Sequence, residues 1–340
     1  MKPDSVSIRE ISKITGVSVA TVSRVINNNG RFSKETEARV KKALKEYNYT
    51  PNLAARGLRT KRIATVGVVV PDITNEYFAR ITLHLQERLF AHSYSTIICN
   101  TDEKADIERR HLDMLLSQQV SGVMYVSGTP HAFDRLSHLP AVFIDREPQT
   151  AREAGNYSLI ESDNFLGGTL AARELLQKGC RRLCIFKYRD DISTHNAREA
   201  GFRQAAREAG LHDDAVRVEI VPDVSVRQGY EKAKAVWQAG GFDGLFCTAD
   251  ALAVGACNAL RAEGVEIPGQ VKLVGYDDTA IAHYGAVPLT SVHQSTEEIG
   301  RLAADTLLQI IDGKQPERRH ITLPVHLVVR ASTGGQFEEA

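Results

Sequence analysis

The chain has 340 residues, more than one ordinary hydrophobic core organises, so two or three domains are expected. With 43% hydrophobic and 25% charged residues it is not a largely disordered chain, and its longest apolar run, residues 63–70, is far too short to cross a membrane. No apolar stretch follows Met1-Lys2-Pro3-Asp4, so the sequence predicts no secretory signal, no membrane contact and a cytoplasmic location.

The formal net charge of zero is unevenly spread. Residues 1–62 carry 14 Lys and Arg against 5 Asp and Glu, a net +9, and the remainder carries 28 against 37, a net −9. A small basic module joined to a large acidic body points to an anionic partner for the first part only. The cysteines, Cys99, Cys180, Cys184, Cys247 and Cys257, are odd in number and show no C-x-x-C spacing. Most lie in apolar runs, which reads as small buried hydrophobes in a reducing compartment rather than metal or redox chemistry.

Three helices are predicted in the first fifty residues. Ser7-Ile8-Arg9-Glu10 has the form of a capping box, followed by Ile8, Ile11 and Ile14 at spacing three and by Gly16, which ends a helix at low cost in the left-handed region. Ser18 can cap a second helix with Val22, Val25 and Ile26 inside. Asn27-Asn28-Asn29-Gly30 is a turn cluster, and Ser33 caps a third helix carrying Val40, Ala43, Leu44 and Tyr47. Two short helices across a glycine turn, buttressed by a third, make a helix-turn-helix unit. Such helices can be merely a bundle. Against that, the second helix is expected to expose Val19, Ala20, Ser23 and Arg24, small and polar enough to lie against base edges, and its N-terminus, with Thr21 and Ser23 nearby, suits a phosphate.

The run Gly16-Val17-Ser18-Val19-Ala20-Thr21-Val22-Ser23-Arg24-Val25-Ile26-Asn27 resembles the headpiece of the lactose-repressor/galactose-repressor (LacI/GalR) family. Pro51-Asn52-Leu53-Ala54-Ala55-Arg56-Gly57-Leu58-Arg59-Thr60 resembles that family's hinge, and the likeness continues to about Thr333. The resemblance implies that Val19 and Ala20 choose bases in the major groove, that Arg24 and Asn27 support base or phosphate contacts, and that Leu58 wedges into the minor groove of a near-palindromic operator. By its own residues, the 52–58 stretch is shorter than the ~12–15 residues an isolated helix needs, and Gly57 costs it about 1 kcal/mol relative to alanine. It is expected to be disordered when free and helical on DNA beside its dimer mate.

From residue 63 onward, apolar strands alternate with amphipathic helices. Strands are predicted at 65–70, 95–99, 122–126, 141–144, 183–186, 217–221, 244–248 and 272–275, with helices such as 80–91, 107–118, 168–177, 198–209 and 228–238 between several of them. This pattern reads as two parallel sheets covered on both faces. Four strands end in acids or amides, at Pro71-Asp72-Ile73-Thr74-Asn75, Asp145-Arg146, Ala249-Asp250 and Tyr276-Asp277-Asp278. One such acid is commonly a cap or turn former, but several beyond the carboxyl ends of strands suit a polar, hydroxyl-rich ligand.

The resemblance implies a body similar to periplasmic sugar-binding proteins, with two α/β lobes, three crossings and a cleft between them. By position, Asn75 and Phe78 would line the first lobe, Asp145 and Arg146 would sit at its rim, and Asp163, Asn164, Arg198, Asp250 and Asp277 would come from the second. Arg198 and Asp277 are the leading contacts. The chain departs from the family pattern at Ala249, where an asparagine is frequent, and at Asn196, where some relatives have arginine. Asp278 is as readily structural as a contact, and Trp237 reads as core packing.

Enzyme motifs are missing. No two glycines are separated by a single residue, which excludes G-x-G-x-x-G, and there is no Walker loop, H-E-x-x-H or G-x-S-x-G. No catalytic set, cofactor or metal is expected. Residues 334–340 carry no leucine heptads, so a homodimer rather than a coiled-coil tetramer is expected. The expected fold is α + α/β: a helix-turn-helix headpiece at 1–50, a hinge helix at 51–62, and a two-lobed, periplasmic-binding-protein-like body with parallel sheets at 63–340. The expected function is a DNA-binding transcription regulator, most simply a repressor, whose operator affinity responds to a sugar or sugar phosphate. A nucleobase or nucleoside effector, a solute-binding protein and an enzyme are the rival readings.

Overall fold

The computed structural model describes residues 6–26, 29–47, 49, 63–126, 136, 138–147, 157–189, 191–316 and 320–335. Asn27, the hinge at 51–62 with Leu58, and residues 336–340 lie outside this set. The chain divides into two compact units, Met1–Ile63 and Ala64–Ala340.

The first unit holds α1 (Ile8–Thr15), α2 (Val19–Ile26) and α3 (Lys34–Glu46). The capping box forms as expected: Ser7 accepts from the Glu10 backbone while Glu10 accepts from the Ser7 backbone. Gly16 ends α1 at φ +66°, where a side chain would be strained. The Ser18 hydroxyl accepts from Thr21 N–H at 3.2 Å and the Ser33 hydroxyl from Thr36 N–H at 3.1 Å. Ile11, Val22, Val25 and Val40 form the core. Three residues differ from the sequence reading. Ile14 is 47% exposed, because spacing of three turns each step about 60° off the stripe and only Ile11 stays central. Tyr47, at the end of α3, is 42% exposed. Ser23 is buried rather than exposed, since it lies about 60° from Ile26 around α2, on the shoulder of the inner face.

The second unit contains two six-stranded sheets. The strands are β1 (Ile63–Val70), β2 (Ser95–Asn100), β3 (Val120–Tyr125), β4 (Ala141–Ile144), β5 (Ser158–Ser162), β6 (Leu183–Tyr188), β7 (Val216–Val221), β8 (Gly244–Cys247), β9 (Lys272–Asp277), β10 (Thr290–His293), β11 (His320–Leu323) and β12 (His326–Val328). The helices are α4 (Glu76–Ala91), α5 (Ala105–Ser117), α6 (Asn164–Gln177), α7 (Ser193–Glu208), α8 (Val226–Gln238), α9 (Asp250–Ala262), α10 (Ala280–His283) and α11 (Thr296–Ile311). The first sheet has order β11-β5-β4-β3-β1-β2 and the second β12-β10-β9-β8-β6-β7. Pairing is dominantly parallel, with β10–β12 antiparallel. The chain passes between lobes three times: from β5 to α6, from β10 to α11, and from β11 to β12.

Each of the eight predicted strand regions holds a strand. The short strands β5, β10, β11 and β12 were not predicted as such, because three to five residues carry little periodicity. Helices α4, α6 and α7 begin four or five residues earlier than predicted. The first turn of α7, Ser193-Thr194-His195-Asn196, is polar and hides the apolar pattern, and the first turns of α4 and α7 carry groups of the cleft. The five cysteines are free and buried, as expected. Among the described residues no helix is long and apolar enough to cross a membrane, and no group of three or more metal-ligating side chains occurs.

Candidate functional site

A cavity of about 480 Å³ opens between the lobes of the second unit. Its walls lie beyond the carboxyl ends of β1, β2, β4, β6, β7, β8 and β9, where doubly wound sheets present side chains to a ligand. The first lobe contributes Asn75, Tyr77 and Phe78 from the start of α4, Glu103 after β2, and Asp145 and Arg146 after β4. The second contributes Tyr188 from β6, Thr194, His195 and Arg198 from α7, and Asp277 from the end of β9.

Among the acids that face this space in left-handed backbone are Asp145 at φ +66° and Asp277 at φ +102°. Non-glycine residues adopt such angles at a cost of order 1–3 kcal/mol, which concentrates at functional sites. Asp145 and Asp277 are linked through the crossing segment after β10. Tyr77 Oη donates to Asp145 Oδ1 at 2.9 Å and lies 3.3 Å from Gln294 Oε1, while Gln294 Nε2 donates to Asp277 Oδ1 at 2.7 Å. Burial pushes the Asp277 carboxyl well above its ordinary range, opposed by the nearby Arg198.

Arg198 is held from three sides. Nε donates to Asn164 Oδ1 at 2.8 Å, Nη1 donates to the Thr248 carbonyl at 2.7 Å, and the guanidinium stacks 3.6 Å over the Tyr276 ring. Beside it, His195 Nδ1 is 2.8 Å from Thr248 Oγ1, whose single proton goes to the Phe186 carbonyl at 3.1 Å. Nδ1 is therefore the protonated nitrogen, leaving Nε2 an acceptor. Burial, then the Arg198 charge, depresses the imidazole well below its usual range, so His195 is neutral. Across the cavity, both Glu103 oxygens accept from Arg146 Nη1, at 2.8 and 3.0 Å, and the Arg146 guanidinium lies 5.7 Å from the Phe78 ring centre.

Six of the nine expected residues of this cleft line it: Asn75, Phe78, Asp145, Arg146, Arg198 and Asp277. Arg146 is not at the rim as expected but buried, because Glu103 draws its guanidinium inward. Asp163 caps α6, accepting from Leu166 N–H at 2.8 Å, and lies outside the lining. Asn164 sits one layer behind, orienting Arg198. Asp250 is spent inside the second lobe, accepting from Thr279 N–H at 2.8 Å, from its hydroxyl at 2.9 Å and from the Ser291 hydroxyl at 2.7 Å. Asp278 is structural, bonded to His293 Nδ1 at 2.9 Å and to Arg330 at 2.6 Å, and Trp237 packs edge-on against Phe242. The lining residues missed include Tyr77, Glu103, Tyr188, Thr194 and His195. Of these, Tyr188 and Glu103 follow the strand-end rule and were findable that way.

In the headpiece, Ser18, Val19, Ala20 and Arg24 are exposed, Thr21 is half-buried and Ser23 is covered.

Comparison with known proteins bears on both units. Residues 7–52 match the family of bacterial regulatory proteins, lacI family, and residues 172–333 match the periplasmic binding protein-like domain. A ribose operon repressor of Halalkalibacterium halodurans is 30% identical, over 98% of this chain and 99% of its own. The transcriptional repressor PurR of Pasteurella multocida is 31% identical, over 96% of this chain and 98% of its own. Among solved structures, the lac repressor dimer bound to operator and the anti-inducer ONPF matches with a TM-score of 0.86 at 25% identity, covering 97% of this chain and 99% of that one. The complex of the transcriptional regulator CelR with cellobiose matches with a TM-score of 0.72 at 29% identity, covering 96% and 99%. Headpiece, two-lobed body and near-full-length relatives agree: this chain belongs to the lacI family of bacterial regulatory proteins.

Proposed function

We propose that this protein is a cytoplasmic transcriptional repressor that binds a near-palindromic operator as a homodimer and responds to a sugar held between its lobes. The observation that carries the effector reading is the presence of an acid and a guanidinium on each wall, Asp145 and Arg146 on one and Asp277 and Arg198 on the other. Carboxylates accept from sugar hydroxyls and guanidinium groups donate to them, while Phe78 offers an apolar face to a ring. On the DNA side, Val19 and Ala20 at the exposed start of α2 reach base edges, and Ser18, Thr21 and Arg24 contact the backbone. The hinge at 51–62, through Leu58, and Asn27 complete the contact set. Ser23, being buried, supports α2 rather than touching DNA.

Dimerisation through the body accounts for large exposed apolar side chains on α4 and directly after α10. Leu83 is 51% exposed, Phe90 77% and Tyr284 78%. A second effector reading, a nucleobase, is favoured by Tyr188, which brings an aromatic ring from the second lobe to a cavity that Phe78 lines from the first.

The test selects a duplex from random sequence with the full-length protein, then follows its release by fluorescence anisotropy against sugars and nucleobases. The sugar reading predicts that a sugar alters operator affinity. A response to nucleobases alone supports the second reading, and failure to select any sequence contradicts the first proposal outright.

A further inference from the structure

We propose that Glu103 sets the charge selectivity of the cleft: it matches the charge of Arg146, so that the effector is an uncharged polyhydroxylated molecule and phosphorylated or carboxylated sugars are refused. The inference rests on the reading of the cleft as the effector site.

Arg146 is only 4% exposed, and a guanidinium so placed needs a partner. Glu103 supplies it, with both carboxylate oxygens on Nη1. Arg146 Nε, by contrast, is buried without a hydrogen-bond partner among the described residues. Arg146 thus lines the cavity with its charge already matched, which suits a hydroxyl oxygen better than an anion.

The backbone is bent to achieve this. Asp102 and Glu103 are consecutive non-glycine residues in left-handed conformation, at φ +53° and +56°, in the loop between β2 and α5. Such geometry persists only where surrounding contacts enforce it. Here the Glu103–Arg146 pair and a Lys104–Asp102 pair at 2.6 Å hold the loop.

The remaining lining agrees. Six carboxylates and three cationic side chains face the cavity. Each cation already has an acid nearby: Lys104 has Asp102, Arg146 has Glu103, and Arg198 has Asp277 at 3.9 Å. An entering phosphate would meet surplus negative charge and would have to displace a carboxylate to reach any of them.

The test uses purified full-length protein and inorganic phosphate as probe, with sodium chloride at matched ionic strength as reference, read as the saturable rise in Tm. Wild-type protein is expected to show no phosphate-specific rise. Glu103→Gln, which leaves Arg146 unmatched, is expected to bind phosphate at least ~10-fold more tightly than wild type, and the double variant Glu103→Gln/Arg146→Gln is expected to lose that binding. Should glutamine disturb the fold, as judged by circular dichroism, Glu103→Ala removes the carboxylate without adding bulk and carries the same expectation. The proposal is overturned if wild-type protein binds phosphate as tightly as the variant, which makes Glu103 a placeholder that anions displace. It is overturned equally if folded variants gain no phosphate binding. A parallel titration of wild-type protein on operator with neutral sugars separates the two levels. If no sugar acts there while the phosphate arms behave as expected, the effector reading fails and the charge assignment stands.

Discussion

The Asp277 oxygen that stands 3.9 Å from the Arg198 guanidinium is the same one that accepts from the Gln294 amide at 2.7 Å. Gln294 lies on a lobe crossing and reaches Tyr77, which donates to Asp145 in the opposite lobe. A ligand that engages Asp277 and Asp145 therefore acts on both ends of one chain of polar contacts. Further contacts span the cleft outside it: the Ala280 N–H donates to Glu76 Oε2 at 2.8 Å, and the Glu147 N–H donates to the Ser193 hydroxyl at 3.2 Å. Asp277→Ala is expected to weaken effector binding by about 2–5 kcal/mol, at least ~30-fold, by leaving Arg198 without its acid. Operator affinity without effector should remain near wild type. Calorimetry with the effector and anisotropy with the operator measure the two separately.

Arg198 owes its position to a close approach of helices. A Cβ on Gly201 would lie 1.9 Å from the Phe165 carbonyl, and one on Gly168 would lie 1.8 Å from the Arg198 carbonyl. Gly201→Ala must separate α6 from α7, so it is expected to lower body stability by about 1–3 kcal/mol and to weaken effector binding together. Gly210→Ala provides the contrast. Gly210 sits at φ +82° with open space around it, so alanine there should cost only about 1 kcal/mol of strain and leave effector affinity unchanged. Thermal unfolding and effector titration of both variants check the pair.

The fold was legible where the pattern was long. The capping box at Ser7, Gly16 as a left-handed stop and the Ser33 cap follow from local chemistry that tertiary structure did not override. The cleft was legible only in part, because a carboxylate at a strand end looks alike in sequence whether it caps a helix, braces a loop or meets a ligand. Asp163 and Asp250 shared that signal with Asp145 and Asp277, and only packing separates them. His195 carried no local signal, since its role comes from Thr248, 53 residues away, and the strand-end position of Glu103 does not reveal its partner Arg146, 43 residues away.

Stability should depend on pH through buried acids. Burial pushes the Asp250 carboxyl up to about 6 from an ordinary 3.8, despite its three donors. Glu161 is pushed in the same direction to about 7, by burial and then by Asp145, Glu147 and Asp163. A raised value means that the folded state binds the proton more tightly than the unfolded state. The resulting stabilisation is full below the unfolded value and is lost as pH rises through the folded one. These two acids therefore contribute less stability as pH rises from about 5 to 7, against the opposite trend of His195, whose depressed imidazole favours the folded state as pH rises through its ordinary 6.5. Asp250→Asn should flatten the part of that slope below about pH 6, leaving the part due to Glu161. Urea unfolding at pH 5, 6 and 7 measures it.

Operator binding should depend steeply on salt, because the net charge of +9 lies in residues 1–62 and the acidic remainder repels DNA. Each phosphate neutralised contributes about −0.9 to the slope of log affinity against log salt. Arg24→Gln is expected to reduce the magnitude of that slope by about one phosphate. Anisotropy between low and moderate salt reads it, and a flat dependence would remove the headpiece from the contact.

The most direct measurement is the coupling between the two sites. The effector found by the ligand screen is titrated into the protein–operator complex, and operator affinity is determined with the cleft empty and saturated. The account predicts a change of about 5–150-fold, with the operator altering effector affinity by the same factor, as linkage requires. Operator affinity that stays the same when the cleft is saturated would contradict it.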